Sequence, residues 1–224
     1  MDLPVWQQLF ERLKNNKFMI VAVAEDSEPE AVRPWIEQAK PTYWSLVDTE
    51  HRVSALYGMV NVPTAVWIDE AGRIARPPET AGSTDHFRRM DLKTRTLKPE
   101  DAAARLKARE FYIDAVRQWA ATGVNALDAD HAREKLPRVT RDMALAHTHF
   151  RLGAWLARND RAEEGARHMA EASRLHPDSW CMWRQAADKT ELGLAGGPDF
   201  WARVKALGDK PYYRPPDLPG YPSG

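Results

Sequence analysis

Between residues 2 and 15, Trp6, Leu9, Phe10 and Leu13 recur at the i, i+3, i+4, i+7 spacing of one helical face, with Gln7, Gln8, Glu11 and Lys14 opposite, which predicts an amphipathic helix. Phe18 to Ala24 is an unbroken apolar run rich in β-branched residues, as expected of a strand buried on both faces of an α/β sheet. Ser27 and Glu30 have capping-box spacing, so a helix should follow as far as Lys40. Tyr43 to Val47 reads as a short strand and Glu50 to Tyr57 as a short helix closed by Gly58. The apolar run Thr64 to Ile68, the turn signal Asp69-Glu70-Ala71-Gly72 and the apolar pair Ile74 and Ala75 predict a β-hairpin. Pro63 stands immediately before it, and its missing N–H suits only a strand's first position or an edge. A weak helix is expected at Thr84 to Met90 after Gly82. Strands alternating with helices predict parallel βαβ units that end in an antiparallel hairpin.

The polar stretch Asp91 to Lys98 lacks apolar periodicity and reads as a linker. The basic cluster of Arg88, Arg89, Lys93, Arg95 and Lys98 is better explained by a solvated linker than by a phosphate or nucleic-acid site. Beyond it the pattern is helical only. Pro99 suits a helix's first turn and Gly123 its end, with Ala103, Leu106, Ile113, Val116 and Ala120 on one face. A short helix within residues 126 to 136 is stopped before Pro137. Thr140 to Arg158 and Arg161 to Leu175 form a helical hairpin about Asn159-Asp160. The tail, 210 to 224, carries five prolines with Tyr212, Tyr213 and Tyr221, so it is extended and should wrap the body or serve as a ligand for an aromatic groove.

Charge and cysteine usage narrow the chemistry. With 32 acidic and 32 basic residues in 224, net charge is zero, which provides no general drive toward nucleic acid. The longest apolar run is Phe18 to Ala24, too short to cross a bilayer and without a signal-peptide layout. The chain is therefore expected to be soluble and, as written, cytoplasmic, with no membrane segment. Cys181 is the one cysteine, which excludes an intrachain disulfide; flanked by Trp180 and Met182, it reads as a packed core residue. His147 and His149 are two apart on a helix, and no His-x-x-x-His occurs among the seven histidines, so no metal site and no cofactor are expected. Glu25 and Asp26 end the first buried strand, where α/β ligands bind, but a capping or solvated role is the economical reading. Packing accounts for the many tryptophans, nine in all: Trp6, Trp35 and Trp44 fit the layer over the sheet, while Trp119, Trp155, Trp183 and Trp201 fall on helix faces. Exposed clustering of Trp180, Trp183 and Trp201 would instead mark a partner surface.

The stretch Val60-Asn61-Val62-Pro63-Thr64, running into Asp69-Glu70-Ala71-Gly72, resembles the Val-Pro-Thr signature of thioredoxin-fold proteins, and within them the TlpA/ResA-like thiol-disulfide oxidoreductases. The resemblance covers roughly residues 1 to 90. It implies a cis proline at Pro63 and substrate alignment by the main chain of Val62, Pro63 and Thr64. It also implies a Cys-x-x-Cys, which this sequence lacks. Laying the motif's helix on residues 2 to 15 places that pair, or a selenocysteine variant of it, just before Met1, together with a central strand. The sequence as written is thus expected to be a late start without the redox motif.

The helical hairpin resembles a tetratricopeptide repeat running from Ala146 to Ser179, on Leu152-Gly153, Ala172 and Pro177. His149, Gly165 and Met169 depart from that pattern, and a partial repeat follows from Trp180 to Leu207 with Trp183 at its aromatic position. The organisation expected is a thioredoxin-like α/β domain (1–90) lacking its first core strand, a linker (91–98), an all-α tetratricopeptide-like domain (99–209) and the tail (210–224). The resemblances imply a redox protein that is inactive as written, whose partner would be a protein disulfide substrate. The alternative is a redox-inert thioredoxin-fold scaffold that holds a partner protein through its helical domain.

Overall fold

The computed structural model of the chain describes residues 3–26, 28–125, 127–191 and 193–222. These fall into two compact units, neither of which is one continuous stretch of sequence. The first is built from residues 1–12, 19–62 and 137–201, the second from 13–18, 63–136 and 202–224.

The first unit begins with helix α1 (Leu3–Leu13), whose Leu9 and Phe10 are buried; Phe10 meets Tyr43 edge to face at 5.8 Å. Strands β1 (Val21–Ala24) and β2 (Trp44–Val47) pair in parallel, Val21 with Trp44 through to Ala24 with Val47. Helix α2 (Pro29–Ala39) forms the crossover, with Pro29 in its first turn. Ser27, the expected cap, lies outside the described residues; Glu28 precedes α2 without a side-chain cap, and its N–H donates to Asp26 Oδ1 at 3.0 Å. The expectation of a strand buried on both faces fails. Val21 is 55% exposed and its partner Trp44 64%, because among the described residues the face of the β1–β2 pair that carries Val21, Trp44 and Leu46 is open to solvent.

Helix α3 (Arg52–Tyr57) ends at Gly58, whose φ of +66° and whose approach to Pro137, 2.5 Å from a would-be Cβ, leave no room for a side chain. The predicted helical hairpin is present as α6 (Arg141–Arg158) and α7 (Ala162–Leu175), preceded in sequence by α4 (Pro99–Thr122) and α5 (Ala129–Glu134) of the second unit and followed by α8 (Trp180–Ala186). Thr140 and Ser179 cap α6 and α8 through their hydroxyls. Ala146, Phe150, Ala172 and Met182 are the core of this bundle, with Met169 and Leu175 packed on it. Trp180 is buried and meets Trp183 and Phe200 edge to face, so the tryptophans of α8 serve packing rather than an exposed cluster.

The second unit is organised on the predicted hairpin, β3 (Thr64–Ile68) against β4 (Ile74–Thr80), antiparallel with Trp67 opposite Arg76. The turn is closed by Asp69, whose side chain accepts from the N–H groups of Ala71 and Arg73. Strand β4 is longer than the Ile74-Ala75 pair and runs through Pro77 and Pro78, which it tolerates as an edge strand with register irregularities. Helix α4 (Pro99–Thr122) lies against a 3₁₀ turn (Asp85–Arg89) and presents Asp101, Ala108, Tyr112 and Val116 inward. The stripe expected from periodicity held Leu106, which is exposed; the buried stripe is set by Tyr112, whose hydroxyl accepts the Trp67 indole N–H at 2.9 Å. Trp119 stacks on Trp67 at 5.0 Å. Helix α5 (Ala129–Glu134) packs beside β4, and the last helix, α9 (Pro198–Ala206), leads into the tail.

The tail packs within this unit: Asp85 accepts from the N–H groups of Tyr212 and Tyr213, and Tyr221 meets Phe111 edge to face. Arg76 is fully buried, bidentate to Glu79, donating to the Asp217 carbonyl at 2.7 Å and stacked over Trp67. Two members of the basic cluster have structural partners: Arg89 pairs with Asp101, and Arg88 donates to the carbonyls of Gly208 and Lys210. Among the described residues no helix is long and apolar enough to cross a membrane.

Candidate functional site

In the first unit, the C-terminal end of β1 delivers Glu25 into the interior, beside His51 ahead of α3, Ser54 within it and Cys181 in the first turn of α8. The Glu25 side chain is 5% exposed, and neither carboxylate oxygen has a hydrogen bond of full geometry. Its neighbours are the Cys181 thiol, the Ser54 hydroxyl, whose bond goes to the His51 carbonyl at 3.0 Å, and His51 Nδ1 at 3.8 Å. Desolvation is the largest influence on Glu25 and raises its pKa; the two weak donors only partly offset it. The sequence reading of a solvated or capping Glu25 is therefore corrected; Asp26 accepts the Glu28 N–H two residues on, and α2 has no side-chain cap at Glu28. A strand end is exposed by default, and the cover here comes from α3 and from α8, which is 156 residues away in sequence.

His51 lies edge to face on Phe150 at 4.6 Å, and burial lowers its pKa to about 4 despite the nearby carboxylates of Asp48 and Asp26. It is neutral around pH 7 and forms no fixed ion pair with Glu25. Cys181 is 5% exposed; burial and the adjacent Glu25 push its pKa well up, so it is a thiol rather than a thiolate. Its N–H and that of Trp180 both donate to the Val60 carbonyl, at 3.2 and 2.7 Å. A slot of about 170 Å³ runs along the open edge of β1 between Val23, Glu25, Val62, Cys181 and Gln185, and the Gln185 amide donates to the Glu25 carbonyl. A larger, mostly apolar cavity of about 520 Å³ is lined by Ala22, Val32, Pro34, Trp35, Ile36 and Leu46.

Of the residues singled out for substrate alignment, Val62 belongs to the first unit and Pro63 and Thr64 to the second. The Val62 N–H is held by the Asn61 side chain at 2.9 Å. The Pro63 carbonyl accepts from Ala81 at 3.2 Å, and Thr64 opens β3 opposite Thr80, in keeping with a proline placed just before a strand. Main-chain groups of this segment thus have partners within the chain.

Sequence spacing separated the histidines that the hairpin brings together. His149 of α6 and His168 of α7 place their Nδ1 atoms 2.8 Å apart, and His147 meets His176 ring to ring at 6.2 Å. Burial is the main influence on His147 and brings its pKa down to about 4. A search along one helix for i, i+4 pairs cannot find a pair whose members come from two antiparallel helices. Among the described residues no group of three or more His, Cys, Asp or Glu side chains is arranged to hold a metal ion. No protein-family profile matches the chain, and neither a curated protein nor a solved structure is significantly similar to it.

Proposed function

We propose that the chain is a thioredoxin-like protein of the thiol-disulfide oxidoreductase type that, as this sequence stands, carries out no thiol exchange. The fold reading rests on the parallel β1–β2 crossover, the proline-led β3–β4 hairpin and the Val62-Pro63-Thr64 segment. The observation that carries the inactive state is Cys181: one buried thiol with a raised pKa offers neither the attacking thiolate nor the second sulfur that resolves a mixed disulfide. The protein is read as cytoplasmic as written, without nucleic-acid or membrane partners. In an insulin-reduction assay with dithiothreitol, turbidity should develop at the rate of the protein-free blank. Acceleration above that blank by the 224-residue chain overturns the reading.

A redox-inert scaffold is the second reading, favoured by one feature of the hairpin. Leu145, Leu152 and Trp155 are exposed on α6, opposite the side that buries Phe150 and Ala154, and form an apolar stripe suited to a partner peptide. Selecting a random peptide library on the chain and on a Leu152→Ser, Trp155→Ser variant separates the cases. Sequences enriched by the first and lost by the second support a docking role for α6; equal enrichment removes it.

A further inference from the structure

We propose that His149 and His168 form a two-imidazole site for a divalent transition-metal ion, zinc or nickel in class, bridging α6 and α7. The two rings come from opposite members of a helical pair whose backbones approach closely at Gly153 and Gly165, where an added Cβ would stand 2.7–2.8 Å from the opposite carbonyl oxygen, so the two helices are held at short separation. Their Nδ1 atoms are 2.8 Å apart, the ring centroids 5.0 Å, and the planes are inclined by 35°. An imidazole nitrogen binds such ions at about 2.0–2.1 Å, so two on one ion stand roughly 2.9 Å apart at a right angle and roughly 3.3 Å apart at the tetrahedral angle. The pair is already at the right-angle spacing and lies within about half an ångström of the tetrahedral one. Both rings are half-buried and reachable from solvent.

Without an ion, one ring donates its Nδ1–H to the other's lone pair. On binding, the donor ring carries its proton on Nε2 instead, both Nδ1 lone pairs face the ion, and no net proton is released. Water fills the remaining positions, since no third His, Cys, Asp or Glu among the described residues completes the set. The surroundings favour a cation. Glu171 and Glu164 lie close enough to His149 and His168 to interact with their charge, and each carboxylate is held by its own arginine, Arg174 and Arg161. They balance charge without being free to ligate. Imidazole without thiolate suits zinc, nickel or copper, and the one cysteine, Cys181, belongs to α8 and not to α6 or α7.

The test is isothermal titration of the full chain with zinc chloride and with nickel chloride near neutral pH, beside nitrogen-15 spectra of the histidine rings. One ion per chain is expected, with nickel broadening the His149 and His168 resonances before those of His131, His86 or His51. His149→Asn and His168→Asn keep a hydrogen bond across the helices, so the fold persists, and each should weaken binding at least about tenfold. His147→Ala should leave binding unchanged. Binding that survives the double asparagine variant, broadening that begins at another histidine, or no heat with either ion in a chain shown to be folded overturns the proposal.

Discussion

Gly153 and Gly165 pack backbone against backbone: a Cβ on Gly153 would stand 2.8 Å from the Gly165 carbonyl oxygen, and one on Gly165 would stand 2.7 Å from that of Gly153. Both residues are helical and buried, so the absence of a side chain serves close approach and not an unusual backbone angle. In an exposed helix interior Gly→Ala stabilises by up to about 1 kcal/mol, whereas overpacking a close contact costs about 1–3 kcal/mol. Because the obstructing atoms are backbone, which cannot swing aside, the second effect wins. Gly165→Ala should lower the unfolding free energy by a net of about 1–2 kcal/mol, read as a lower urea midpoint in equilibrium unfolding. A rise in the midpoint means that α6 and α7 are further apart than described.

Arg76 supports the second unit from inside. Its guanidinium is fully buried, pairs with Glu79, satisfies the Asp217 carbonyl and covers the Trp67 ring. Removing one partner of a buried ion pair leaves an uncompensated charge, at a cost of about 3–5 kcal/mol. Arg76→Ala should show that loss in thermal unfolding and should also speed proteolysis between residues 210 and 222, where the carbonyl contact is lost. Arg76→Lys keeps the charge but not the fork and should fall between the two.

His51 makes stability depend on pH in a defined direction. Its pKa is about 4 in the fold against an ordinary 6.5, so the unfolded chain takes the proton first. Its contribution is fully present above pH 6.5 and is lost as pH falls toward 4, with a slope of at most about 1.4 kcal/mol per pH unit. Glu25, whose pKa is raised, works the other way: the unfolded chain ionises it first, so stability is lost as pH rises from 4.5 toward the higher folded value. Urea titrations at pH 7, 6, 5 and 4.5 should show a steeper fall for the chain than for a His51→Asn variant. Asparagine is the suitable replacement because position 51 has a φ of +52°. Parallel curves would mean that His51 is solvated.

Cys181 should behave as a buried thiol. Ellman's reagent is expected to react slowly with the folded chain and to count one thiol on denaturation. Glu25→Gln removes the neighbouring charge that raises the thiol pKa and should quicken the native reaction. A fast native rate, unchanged in that variant, places the sulfur at the surface.

Much of the local structure was legible because its signals are local. The face of Leu9, Phe10 and Leu13 marks α1, Asp69 to Gly72 marks the hairpin turn, and Asn159-Asp160 marks the turn between α6 and α7. The rest depends on partners distant in sequence. The solvent-open side of β1 follows from nothing among the described residues covering that face, which an apolar run does not reveal. Glu25 is buried by α8, and His149 finds His168 only once the hairpin has closed. Gly165 read as a departure from a helical repeat and proves to be where two backbones touch.

The bond from Arg76 to the Asp217 carbonyl also has a consequence in time. Its two ends are 141 residues apart, and the unit that contains it draws on residues 13–18 at one extreme and 202–222 at the other. During synthesis the hairpin and α4 emerge long before the carbonyl that satisfies the guanidinium. Until then a positive charge waits beside Trp67 without its last acceptor, and loop closure over that distance is slow. The second unit therefore completes its fold only after the ribosome has released residue 217, whereas all the contacts described for the first are available once residue 201 has emerged.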